Sequence, residues 1–224
     1  MKKYAEFSER MKTTLGLESL PVAIAFADKP PESVEQMKGE IRLCQMLDRV
    51  RLKGESFFTT VENHKCDGGS GSCGMKQMSE KVRNGEFLSK MGLFGSKMAA
   101  RRFINANPRI EYGTVKTVTF SPLEKVTFEP DVIVLICNAK QGMLIAEAYA
   151  YDSGKRTLGM TGPPICSSIV AAPYLTGEVT YSFGDHGARN YMKIRDEEVY
   201  VGIPAELLPN IIDSLEIMIS RLKN

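Results

Sequence analysis

The sequence predicts an α/β or α+β protein: a mixed sheet flanked by helices, built from two pseudo-symmetric halves, 1–110 and 111–224, in one compact unit. Three observations carry this expectation. Short continuous apolar runs bounded by proline or glycine alternate with stretches of helical periodicity. A chain of 224 residues that is 43% hydrophobic is long enough to bury a substantial core. The two halves also align with one another: "LPVAIAFADK" with "PDVIVLICNAK", and "LCQMLDRVRLKGESFFTTVENH" with "ICSSIVAAPYLTGEVTYSFGDH".

Each element has its reason. Tyr4, Phe7, Met11 and Leu15 recur at spacings of three and four, placing them on one face of a first helix. The apolar run 20–27, bounded by Pro21 and by "DKPP", suits a buried strand. Ile41, Cys44, Leu47 and Val50 mark a helix that stops at Gly54, and "SFFTTVE" is aromatic and β-branched enough to be a strand. The glycine-rich stretch 64–75, "HKCDGGSGSCGM", is expected to be a loop. Short helices then run to "NANP", broken at Gly85, Gly92 and Gly95 and ended by Pro108. Strands are expected at 114–120 and 130–137, with a helix from 141 to Gly154. Pro163 and Pro164 open a helix through 165–177, because proline costs no hydrogen bond in a first turn. The strands "EVTYSF" and "EVYVGI" follow. Leu207, Leu208, Ile211, Ile212, Leu215, Ile219 and Leu222 define the last helix, which Pro204 opens.

Charge and cysteine usage narrow the function. With 29 basic and 27 acidic residues interspersed, no long-range field selects nucleic acid or an anionic membrane. No apolar run is long enough to span a bilayer, and the N-terminal lysines are not followed by a signal-like stretch, so a cytoplasmic protein is expected. Five cysteines in a reducing compartment, an odd count, are free thiols, redox groups or metal ligands rather than a disulfide framework.

The repeat suggests where they meet. His64 follows Cys44 by 20 residues and His186 follows Cys166 by 20, although Cys44 to Gly54 is 10 and Cys166 to Gly177 is 11, so one half carries an extra residue. If equivalent helix starts meet near a twofold axis, Cys44 and Cys166 face each other, and the loop with Cys66 and Cys73 closes over them. Gly68, Gly69, Gly71 and Gly74 would let backbone N–H groups wrap a bulky group. Four thiolates from Cys44, Cys66, Cys73 and Cys166 would then suit an iron–sulfur cluster, or less readily zinc. His64 and His186 are lesser candidate ligands, for a mixed site or a haem. Arg189 would neutralise an anionic cofactor. Cys137, ending a strand, is a buried structural thiol. Each feature also has an ordinary explanation: free cysteine packs as a small hydrophobe, glycine runs make turns, and the twelve methionines fill cores.

The segments "LPVAIAF", "KCDGGSGSCGM", "PDVIVLICNAKQGMLIAEAYAY" and "GARNYMKIRDEEVYVGIPAELLPNI" resemble the ArCR proteins of archaea and anaerobic bacteria, domain of unknown function family 169. The resemblance implies a cysteine-rich protein of oxygen-avoiding prokaryotes and supplies no catalytic residues. The leading expectation is an iron–sulfur or metal protein in electron transfer or cofactor handling, working with a redox partner protein. The alternatives are a metal-free thiol enzyme or sensor with Cys73 as the attacking thiol against Cys66, and a small-ligand protein holding an anion against Arg189 and Lys65.

Overall fold

The computed structural model describes residues 2–222. Seven strands form one sheet: β1 (Val22–Ala27), β2 (Phe57–Thr59), β3 (Thr117–Pro122), β4 (Val132–Asn138), β5 (Leu158–Gly159), β6 (Thr180–Ser182) and β7 (Glu198–Pro204). Their order is β2-β3-β1-β4-β7-β6-β5, with every neighbouring pair antiparallel except β5 and β6. The expected mixed α/β architecture is present. β3 follows residue 110, yet it pairs with β1 and β2, so the sheet groups it with the first half.

The central strands are apolar throughout because both faces of the sheet are covered. Side chains alternate along β4, so Ile133, Leu135 and Cys137 enter one core and Val132, Val134 and Ile136 the other. The first core is closed by three helices, α1 (Lys2–Leu15), α7 (Ala139–Ser153) and α10 (Leu208–Leu222). Opposite, the sheet packs against α2 (Leu43–Lys53) and a helical segment 165–176 that ends as α8 (Ala172–Thr176), and α3 (Asp67–Ser72) lies against both. Three further helices, α4 (Glu80–Arg83), α5 (Glu86–Lys90) and α6 (Lys97–Ala106), enclose a small core of their own around Leu88, Ala100 and Ile104.

Outward from the β1–β4 seam the order is the same on both sides: β3 then β2, and β7 then β6. In the seam Val22 pairs with Val134, Ala23 with Ile133 and Ile24 with Val132. Matching Val22 to Val132 therefore maps the seam onto itself. The extra residue of the second half also has a structural location. Ser167–Ala171 form a π turn, which holds one residue more than the corresponding turn of α2, and both helices then stop at a left-handed glycine, Gly54 (φ 67°) and Gly177 (φ 66°).

Two stretches depart from expectation. "DGGSGS" (67–72) is α3 and not a loop, and "HGARNY" is a short helix, α9 (His186–Tyr191). Cys66 is the N-cap of α3, whereas Asp185 is the N-cap of α9. His64 lies ahead of its helix and His186 is the first residue of the other, so their common offset does not make them structural equivalents.

Candidate functional site

Glycine is a poor helix former, costing about 1 kcal/mol relative to alanine at each position, so local propensity opposes α3. Close packing explains the composition. A Cβ on Gly69 would stand 2.8 Å from the Leu43 Cβ, one on Gly68 3.0 Å from the Pro164 Cβ, and one on Gly71 2.5 Å from the Met78 Cγ. The glycines therefore bring α3 against the first turn of α2 and the start of segment 165–176. Gly74 has φ 73°, and its Cα faces the Glu111 carbonyl, so it is needed for conformation and for space. None of these four residues forms a wrapping loop.

This packing gathers the starts of several helices. Cys44 is the second residue of α2, Cys166 lies in the first turn of 165–176, and the Cys66 Sγ caps α3 by accepting from Gly69 N at 3.4 Å. Asp185 ties two starts together: its carboxylate accepts from Ile165 N at 2.7 Å and from Ala188 N at 2.8 Å. Between them opens a cleft of about 610 Å³, with Cys44, Cys66 and Cys166 in its wall beside Arg42, Lys65 and Asp185. A smaller apolar cavity of about 190 Å³ between α7 and strands β6 and β7 carries no cysteine.

Cys73 sits behind this wall. It belongs to the same buried core as Cys44 and Cys166, and the Cys166 thiol interacts electrostatically with Cys66, Cys44 and Cys73. Burial, reinforced by the charge of Cys66, pushes the Cys44 and Cys73 thiols up to about 12 and Cys166 well above its ordinary value. Of the four thiols predicted to share a site, Cys44, Cys73 and Cys166 lie in one core and Cys66 lines the cleft beside it. Cys137 stands on the opposite face of the sheet, in the other core, its thiol also raised to about 12 by burial. Among the described residues, no three His, Cys, Asp or Glu side chains form a group that could hold a metal ion.

Several expected roles change. Cys73 ends α3 rather than starting a helix, is fully buried and has a raised pKa, so it lacks the environment of an attacking thiol. Cys66, half-buried and open to the cleft, has the accessibility that role requires. The Arg189 guanidinium donates to three backbone carbonyls, Phe183 O at 2.8 Å, Arg195 O at 3.1 Å and Glu198 O at 2.7 Å. It fastens α9 to β7 and is not turned to an anion. His64 is buried, with Nε2 3.0 Å from the Thr59 hydroxyl and Nδ1 unpartnered, and burial lowers its pKa to about 4. His186 and Lys65 line the cleft.

Sequence reasoning passed over Arg42, whose guanidinium stacks 3.7 Å from the Tyr191 ring centroid at the cleft. It also passed over Asp185, although an aspartate ahead of "HGAR" has the form of a helix cap. The apolar wall from α5 and the turn after it, Phe87, Met91 and Leu93, gave no signal because its role depends on tertiary placement. No helix among the described residues is long and apolar enough to cross a membrane.

Comparison with known proteins agrees with the resemblance seen in the sequence. The chain is 30% identical over 217 residues to the uncharacterized protein MJ0308 of Methanocaldococcus jannaschii, covering 94% of this chain and 93% of that protein. No solved structure matches it. The family model described as uncharacterised ArCR matches residues 10–214, and this chain belongs to that family, domain of unknown function 169.

Proposed function

We propose that the chain is a cytoplasmic iron–sulfur protein, in electron transfer or cofactor handling with a redox partner, and that Cys44, Cys66, Cys73 and Cys166 hold the cluster. One observation supports this reading: Cys44, Cys73 and Cys166 lie in one buried core and Cys66 lines the cleft beside Cys44 and Cys166, while the fifth cysteine packs on the other face of the sheet. If cysteine served here only as a small hydrophobe, nothing would favour that division, since both cores accept small apolar groups equally well.

A cluster suits the arrangement better than a single ion. Zinc draws four sulfurs to about 2.3 Å from one centre, which requires a tight ligand group. A polynuclear cluster holds its cysteines at the corners of a cage, further apart than the ligands of a single ion. The backbone donors at the starts of α2 and of 165–176 would face the cluster sulfurs, an interaction that tunes reduction potential. The raised pKa values mean that the Cys44, Cys73 and Cys166 thiols are protonated without metal and would release protons on binding one. The strand order on the two sides of the β1–β4 seam supports descent of the halves from one duplicated unit.

Anaerobic purification, or reconstitution with iron and sulfide, tests the proposal by iron content, acid-labile sulfide and visible absorption. Stoichiometric cluster is expected for the wild type and for Cys137→Ser, with loss of it in Cys66→Ser and Cys44→Ser. A wild type that takes up no cluster overturns the reading, as does Cys66→Ser loading like wild type. A colourless protein in which Cys66 forms a disulfide with Cys44 or Cys166 would favour the metal-free thiol reading, which the accessibility of Cys66 beside buried thiols supports.

A further inference from the structure

The geometry points to a second property of the cleft, independent of its cysteines: it is a binding site for a small organic anion with an apolar body. The cleft has two chemically distinct ends. At one stand Arg42 and Lys65, and neither has an ion-pair partner among the described residues. The acidic groups nearby are already engaged. Asp67 is paired with Lys76 at 3.0 Å, and both Asp185 oxygens accept backbone N–H groups. Arg42 and Lys65 therefore stand beside the start of the 11-residue helix α2 without a carboxylate in ion-pair contact.

The other end is apolar. Phe87 is 50% exposed, Met91 54% and Leu93 37%, and all three line the cleft together with Met78, Val82 and Pro164. Large side chains gathered at a concave wall and left open to water mark a surface that an apolar ligand covers. They belong to a helical excursion whose inner side chains, Leu88, Ala100 and Ile104, are buried in its own small core, so the exposed three are not needed to hold it together. A volume of about 610 Å³ lies within the roughly 300–1,000 Å³ typical of small-molecule sites. Charge at one end and exposed apolar surface at the other select an amphipathic anion, its phosphate or carboxylate at Arg42 and Lys65 and its hydrocarbon along Phe87 and Met91. Arg42 is fixed for this task by its stacking on Tyr191, which leaves the donor edge of the guanidinium free.

Isothermal titration of the metal-free protein under reductant tests the site with three probes: octyl phosphate, inorganic phosphate and 1-octanol. Saturable one-to-one binding of octyl phosphate is expected, at least about tenfold tighter than either fragment probe, because each fragment engages one end only. Arg42→Gln with Lys65→Gln should weaken octyl phosphate about tenfold and leave octanol unchanged. Phe87→Ser with Met91→Ser should weaken both alkyl probes and leave inorganic phosphate unchanged. These positions are at the surface, and unaltered far-ultraviolet dichroism confirms folding. Octanol binding as tightly as octyl phosphate would reduce the wall to a general apolar docking surface and overturn the proposal, as would the absence of saturable octyl phosphate binding. Cys66→Ser is expected to bind octyl phosphate normally. That variant separates this inference from the cluster: loss of the cluster with retained binding leaves the anion site standing.

Discussion

Replacing Gly69 with alanine tests whether close approach of α3 to α2 assembles the site. The new methyl would lie 2.8 Å from the Leu43 Cβ, where carbon atoms in contact prefer about 3.5–4.0 Å. Leu43 is the first residue of α2, and its Cβ is fixed to the backbone, so rotation of its side chain gives no relief. The helices must separate by about 1 Å. Overpacking of this kind costs about 1–3 kcal/mol, while alanine in place of a helical glycine contributes up to about 1 kcal/mol of stability. Gly142→Ala supplies the comparison. It lies in α7, where the methyl would meet a Val199 methyl group at 3.2 Å, a side-chain tip that can give way. The propensity gain is common to both variants and cancels in their difference, which leaves the packing cost at Gly69 of about 1–3 kcal/mol. Urea denaturation followed by circular dichroism measures both. Equal stabilities for the two variants, with Gly69→Ala loading iron and sulfide as well as wild type, would refute the claim that glycine is required by the helix contact.

Two further outcomes follow from burial. Of the five thiols, Cys66 alone is not buried, Cys44 and Cys166 lining the cleft with little exposure, so a small disulfide reagent should label one thiol quickly in the metal-free native protein and the other four only at the rate of unfolding; rapid labelling of two or more would contradict the burial of Cys44, Cys73 and Cys166. His64 has its pKa lowered to about 4 by burial, against about 6.5 in the unfolded chain, so between those values the unfolded state takes the proton and the native state does not. The neutral imidazole thus costs no stability above pH 6.5, and stability falls as pH drops towards 4, by at most about 3 kcal/mol; His64→Gln should lose this part of the pH dependence, and an identical profile in both proteins would show that the ring is not held neutral.

The placement of Cys44, Cys73 and Cys166 in one core, with Cys137 in the other, follows from which face of the sheet each segment covers. The apolar runs at 20–27 and 130–137 identify the two strands of the seam, but the helix directly after β4 is α7 on the far face, and the helical segment with Cys166 begins only at residue 165. Even the one-residue mismatch between Cys44–Gly54 and Cys166–Gly177 was visible, and the π turn is its physical form. The helical state of 67–72 was not legible. Glycine has the weakest local preference for a helix among residues other than proline, and here the contacts with Leu43, Pro164 and Met78 override it. The shared 20-residue offset of the histidines misled for a related reason: β2 is followed by a 3₁₀ turn at Val61–Asn63 before α3, whereas β6 runs almost directly into α9, so equal counting crosses unequal structure. Arg189 is a third case, since nothing in "GARNY" announces the three carbonyls, six to nine residues away along the chain, that surround its guanidinium.

The supports of the site form a closed ring. The start of segment 165–176, which carries Cys166, is held by the Asp185 carboxylate, and the same carboxylate caps α9. From α9, Tyr191 reaches across to stack on Arg42, which opens α2 and precedes Cys44 by two residues. Packing of Gly69 against Leu43 and of Gly68 against Pro164 then joins α3, with Cys66 and Cys73, to both helix starts. Each cysteine is thereby carried on a helix terminus braced by at least two others, not on a free loop. A site braced in this way has little chain entropy left to lose, so a cluster or an anion bound there would meet positions already in place. The same ring makes the parts interdependent: removing the Asp185 carboxylate loosens Cys166 and Tyr191 together, and through Tyr191 it loosens the cation facing the cleft. The thiol wall and the anion-facing end are separate in chemistry and shared in mechanical support.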